Sequence, residues 1–151
     1  MEEITSFGIS PVTYWIIGGG VVAILLIALA VAAKKMFRKA ELYGMSREEI
    51  KKKWQTIEEM VRSNDEMSYK LAVMEADKLL DHVLKALGFG GSTLAERLKL
   101  ATYRYPNIRN VWPAHLARNR MVHEASYHLN SSTARDAIRR FRNALVEFGV
   151  L

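Results

Sequence analysis

The sequence predicts an all-α protein: a single N-terminal transmembrane helix followed by an antiparallel helical bundle of four main helices. Three observations carry this. Residues 4–33 contain no charged group. Beyond Ser46, apolar residues recur at alternating spacings of four and three, the repeat of one helix face, and no useful stretch alternates with period two. The intervals between these stripes are short and hold capping residues, glycines and prolines.

The first helix is expected over residues 12–33. Its apolar core runs from Tyr14 to Ala33, which at helical rise spans roughly 30 Å, the thickness of a bilayer's hydrocarbon layer. Tyr14 and Trp15 stand at one edge, where aromatic rings favour the interface. Lys34, Lys35, Arg38 and Lys39 stand at the other, where they meet anionic lipid and place that side in the cytoplasm. The acidic start and long apolar run do not fit a cleaved signal peptide, which begins basic and is shorter. The expected layout is a short extracytoplasmic terminus (residues 1–11), the span (12–33), a basic juxtamembrane segment with a linker helix (34–62), and a cytoplasmic helical domain (63–151), all at the cell membrane. Gly18, Gly19 and Gly20 permit close approach of a second helix.

In the linker, Ser46 and Glu49 form a capping box, and Ile50, Trp54, Ile57 and Val61 make one apolar stripe. Ser63-Asn64-Asp65 caps the next helix, whose stripe is Tyr69, Val73, Ala76, Leu80, Val83 and Leu87, widened by Leu79 and Leu84. Lys70, Asp77, Lys78, Asp81 and Lys85 are assigned to its wet side, and His82 to the surface. Gly88, Gly90 and Gly91 end it; without a preceding strand or a Gly-Lys-Ser/Thr ending they do not form a phosphate loop. Ser92 or Thr93 opens a short helix with Glu96, burying Leu94, Leu98 and Ala101. Tyr105-Pro106-Asn107 breaks the chain, and Pro113 suits the first turn of a helix running to about His123 or Glu124. Asn130-Ser131-Ser132 caps the last helix, with the stripe Ala134, Ile138, Phe141, Leu145 and Phe148.

The chain of 151 residues has no cysteine, which excludes disulfides, thiolate metal sites and thiol nucleophiles. Its net charge is +6, but residues 97–142 hold ten basic groups against Glu124 and Asp136 alone. Such a surplus favours polyanions such as RNA. Tyr103, Tyr105 and Trp112 interleave with Arg104 and Arg109, a pattern that suits single-stranded RNA.

The segment His115-Leu116-Ala117-Arg118-Asn119-Arg120-Met121-Val122-His123-Glu124 carries the chemistry. His115, Asn119 and His123 lie four apart and share one helix face. Histidine moves protons near neutral pH, and arginine offers a planar fork to phosphate. Arg118-Asn119-Arg120-Met121-Val122-His123 resembles the Arg-x4–6-His signature of HEPN domains, in which a polar residue, often Asn, follows the Arg. The resemblance covers about residues 60–150 and takes in the long helix, the glycine break, the motif helix and the final amphipathic helix. It implies a four- or five-helix bundle and a metal-independent endoribonuclease, with no cofactor, acting as a homodimer that joins two motif helices. By it, His123 activates the ribose 2′-hydroxyl or protonates the leaving oxygen, Arg118 holds the scissile phosphate, and Asn119 orients the histidine or holds phosphate. The product is a 2′,3′-cyclic phosphate. His115, Arg120, Arg104 and Arg109 are the candidate RNA-binding residues around this centre. A defence or stress toxin is the implied setting.

Two departures stand out. The tyrosine that some family toxins carry two residues after the histidine, the modification site of an antitoxin, is Ala125 here, with Tyr127 two further on. Membrane tethering lies outside the minimal family pattern. Many HEPN-like domains are non-catalytic, so the alternative reading is a membrane-tethered helical adaptor that binds a protein or RNA partner. A zinc hydrolase is disfavoured: His123-Glu124 followed by His128 is one residue longer than His-Glu-x-x-His and splits the imidazoles between helix faces.

Overall fold

The computed structural model describes residues 19–29 and 45–151. The chain divides into two units, Met1–Ala40 and Glu41–Leu151. In the first, residues 19–29 form a helix, α1, on which Val21, Val22, Ile24, Leu25, Leu26, Ile27 and Leu29 are all exposed. Among the described residues no helix is long and apolar enough to cross a membrane. Half of the span expected over residues 12–33 lies outside them, as do Tyr14, Trp15, Lys34, Lys35, Arg38 and Lys39.

The second unit is all-helical, as the spacing predicts. It consists of α2 (Arg47–Arg62), α3 (Glu66–Ala86), α4 (Leu94–Arg104), a 3₁₀ helix (Pro106–Val111), α5 (Trp112–His123) and α6 (Ser131–Glu147). Each expected cap closes on free amides at a helix start. Ser46 Oγ accepts from Glu49 N while Ser46 N donates to the Glu49 carboxylate at 2.6 Å. Asp65 caps α3, Thr93 caps α4 and Asn130 caps α6. Pro113 sits in the first turn of α5. At the end of α3, Gly88 takes φ +82°, the left-handed conformation that turns the chain so that Phe89 N donates back to Leu84 O. Gly91 is required for a second reason: a Cβ there would sit 2.8 Å from Glu96 Cβ.

The long helix α3 is the hub, packing against α2, α4, α5 and α6. Its stripe is buried as predicted from Tyr69 to Leu84, Leu87 falls at the C-cap and is partly buried, and Phe141 of α6 is the largest fully buried side chain among the described residues. Each such side chain contributes roughly 1.5–3 kcal/mol, whereas an exposed ion pair contributes about 0–1 kcal/mol, so the apolar stripes set the packing. Three departures from the sequence reading follow from this. Helix α2, assigned to the linker, belongs to the core: Ile50, Trp54 and Ile57 are buried against α3. The break at Tyr105-Pro106-Asn107 continues as a 3₁₀ helix that buries Ile108 and Val111. Tyr105 meets Phe89 and Phe148, with ring centroids 6.3 and 5.2 Å away, in an aromatic cluster.

Polar clamps fix the connections. Glu66 accepts from Lys70, His128 and the backbone of Leu129, tying the start of α3 to the loop before α6, and these bonds hold its carboxyl down to about 2. Arg97, buried on α4, donates to Asp81 at 2.7 Å and to the carbonyls of Gly91 and Ser92. Burial works to raise the Asp81 carboxyl, yet the bonds from Arg97 and Lys85 outweigh it and hold the group below the usual carboxylate range. Asp81 thus leaves the wet side of α3 to which the spacing assigned it.

Candidate functional site

Helix α5 is pinned at its start by Pro113 and buries Ala114, His115 and Ala117. Its polar residues do not simply line the surface. His115 is 7% exposed and turns toward α3, where its Nδ1 lies 2.7 Å from Asp77 Oδ1. Asp77 is itself buried. Asn119, one turn along α5, brings Nδ2 within 3.2 Å of His115 Nε2. Arg118 Nη1 donates to Asn119 Oδ1 at 3.1 Å. Arg118 Nε then lies 3.3 Å from Asp77 Oδ2, an ion pair that falls short of a hydrogen bond.

These four side chains form a closed ring, Asp77–His115–Asn119–Arg118. Its donors and acceptors match in only one sense. Arg118 can only donate, so Asn119 Oδ1 must face it, which points the Asn119 amide hydrogens at His115 Nε2. Nε2 therefore accepts, and the hydrogen sits on Nδ1, where it is donated to Asp77; this placement is assigned from the bonding pattern. The two full charges, Asp77 and Arg118, cancel within the ring. A buried carboxylate without such partners would carry a cost of several kcal/mol.

The structure thus brings together Arg118, Asn119 and His115, and adds Asp77, which the sequence reading placed on the wet side of α3. The side chain of Arg118 is 28% exposed and keeps Nη2 without a partner among the described residues. His123, five residues on and about 140° around an ideal helix, is exposed at the end of α5 with no hydrogen-bond partner among the described residues. Within one chain, Arg118 is drawn inward and His123 faces out. His115 is not an open RNA contact, because both ring nitrogens are engaged. Arg120 is tied to Glu124 at 3.1 Å and lies over the Tyr127 ring at 4.7 Å. Arg104 lies over Tyr105 at 5.8 Å. Arg109 lines a surface cleft with Lys99, Thr102, Tyr103 and Trp112. His82 is half-buried rather than on the surface, with its Nε2 shielded and unpartnered. Among the described residues no group of three His, Asp or Glu side chains is placed to hold a metal ion.

Asp77 carried a readable signal. Val73, Asp77, Leu80 and Leu84 repeat at four, three and four, so the carboxylate interrupts a buried stripe. The default exposure of aspartate hid it, since the partners that make burial tolerable lie on another helix. Comparison with family models, curated proteins and solved structures returned no match.

The ring generates a stability prediction. Asp77→Ala leaves a guanidinium without its counter-charge and an imidazole N–H without its acceptor, and should cost the lower end of about 3–5 kcal/mol, because Arg118 keeps some contact with water. His123→Ala, at an exposed site, should change stability by no more than about 0.5 kcal/mol. Denaturant unfolding of both variants checks this; equal stabilities would remove the ring from its structural role.

Proposed function

We propose that this chain is a membrane-anchored, HEPN-type, metal-independent endoribonuclease whose active unit is a homodimer. The observation that carries the reading is the state of Arg118. Asp77 and Asn119 fix its guanidinium while Nη2 stays available, and the same helix presents an unengaged imidazole at its end. A pre-positioned cation suits a phosphate whose charge grows in the transition state. A free imidazole suits proton transfer to or from the ribose 2′-hydroxyl and the leaving oxygen. Because Arg118 and His123 diverge within one chain, the phosphate has to sit between two motif helices, Arg118 of one copy facing His123 of the other. Attack of the 2′-oxygen on phosphorus breaks the bond to the 5′-oxygen, which takes a proton, and leaves a 2′,3′-cyclic phosphate.

The anchor rests on the charge-free run over residues 4–33 and on α1, which is apolar on every side. A helix apolar all round belongs in a core or a bilayer. With the basic residues after Ala33 on the cytoplasmic side, the helical domain has access to RNA.

A second reading, a non-catalytic adaptor, draws on a different feature. A groove between α2 and α3 is lined by Met45, Ile57, Met60, Leu71 and Leu79 together with the polar Lys53, Thr56, Glu75, Lys78 and His82. Flexible methionine-rich surfaces adapt to varied partners.

Incubation of the full chain with RNA in EDTA separates the two. The nuclease reading predicts cleavage that survives chelation, yields cyclic phosphate ends, and falls by at least about 100-fold in His123→Ala, the lower range for loss of a general acid or base. Intact RNA with folded, dimeric wild type leaves the adaptor reading. Alkaline extraction of membranes tests the anchor: the chain should remain in the pellet, and its release into the supernatant would contradict the membrane span.

A further inference from the structure

The cleft formed by Lys99, Thr102, Tyr103, Arg109 and Trp112 plays no part in the chemistry above. It is built where the end of α4 meets the 3₁₀ helix and the first residue of α5. Lys99 and Arg109 are exposed, and neither pairs with a carboxylate among the described residues. Many of the other cations do pair: Lys70 with Glu66, Lys85 with Asp81, Arg120 with Glu124, and Arg139 and Arg140 with Asp136. No acidic residue lines the cleft. Two unneutralised cations therefore converge beside two aromatic rings.

The rings are placed differently from the sequence pattern. Tyr105 and Arg104 leave the set, since Tyr105 joins Phe89 and Phe148 and Arg104 lies over it. Tyr103 is 79% exposed, so its ring is open to a ligand. Trp112 is half-buried and holds its indole edge-to-face against the His115 ring, with centroids 6.1 Å apart. The cleft is therefore contiguous with the Asp77–His115–Asn119–Arg118 ring through one side chain.

We propose that this cleft is a single-stranded RNA subsite, in which Lys99 and Arg109 hold backbone phosphate and Tyr103 and Trp112 stack on a base. Every base offers a π-face, so the subsite tolerates sequence while rejecting duplex, whose bases are already stacked. An anionic lipid headgroup would satisfy the cations but leave both rings unused. The proposal rests on the RNA reading above for the choice of polymer, and not on cleavage.

The test uses the full chain carrying His123→Ala, in a zwitterionic nanodisc with EDTA, and the anisotropy of a short labelled single-stranded RNA. Tyr103→Ala should weaken binding at least about five-fold, the lower end for one stacked base, without changing the salt dependence. Lys99→Ala with Arg109→Ala should weaken it further and flatten the log–log salt slope by about 1.4, roughly 0.7 for each lost phosphate contact. Single-stranded RNA should outcompete both duplex RNA and inorganic polyphosphate. Variants that bind like the parent, polyphosphate that competes equally, or a loss confined to anionic vesicles would each overturn the subsite. Cleavage by the chain without His123→Ala is scored separately, so an inactive protein that still binds RNA through these residues refutes the nuclease and leaves the subsite standing.

Discussion

The buried carboxylate of Asp77 is the constraint that orients the motif helix α5 against the central helix α3. A charge removed from water on the central helix has to be met by donors, and the domain meets it from a single neighbour, α5, through His115 and Arg118. That requirement fixes more than an ion pair. It sets the rotation of α5 about its axis, keeps Ala114 and Ala117 in the core, and leaves His123 outside. Asn119 completes the ring by reading the direction of both neighbours, accepting from Arg118 and donating to His115. The motif helix thus owes its orientation to polar geometry as well as to apolar contact, which fits its weak segregation of apolar and polar residues compared with α6.

The same arrangement divides the basic surplus into two populations. Arg97 and Arg118 are spent on buried or half-buried carboxylates of α3, Asp81 and Asp77, and hold α4 and α5 to it. Lys99 and Arg109 are left at the surface with aromatic neighbours. Lys99 follows Arg97 on α4 and Arg109 stands on the 3₁₀ helix before α5, while Trp112 lines the cleft on one side and meets the His115 ring on the other. An anion bound in the cleft would meet a wall whose position is set by the ring behind it.

Much of this was legible in the sequence, for a physical reason. Caps and stripes are local: Ser46 with Glu49, Asp65, Thr93, Pro113 and Asn130 act within one turn, and their helices begin where the capping chemistry dictates. What depended on contacts between helices was not legible. Nothing in the spacing of Ile50, Trp54 and Ile57 says which helix covers them, so α2 read as a linker although it is core. The 3₁₀ helix after Pro106 has too few residues to show a period, and only tertiary burial of Ile108 and Val111 defines it. The spacing put His115, Asn119 and His123 on one face, and the first two do meet. Arg118 joins them because its long side chain reaches back to a carboxylate that lies 41 residues earlier in the chain.

The most direct measurement is long-range proton–nitrogen NMR of the His115 ring. The ring of three hydrogen bonds and one ion pair requires the hydrogen on Nδ1, protected from solvent exchange by Asp77, with Nε2 acting as acceptor, and requires that protection to fall in Asn119→Leu. A His115 hydrogen found on Nε2, or a ring exchanging freely with water in the intact protein, would contradict the account.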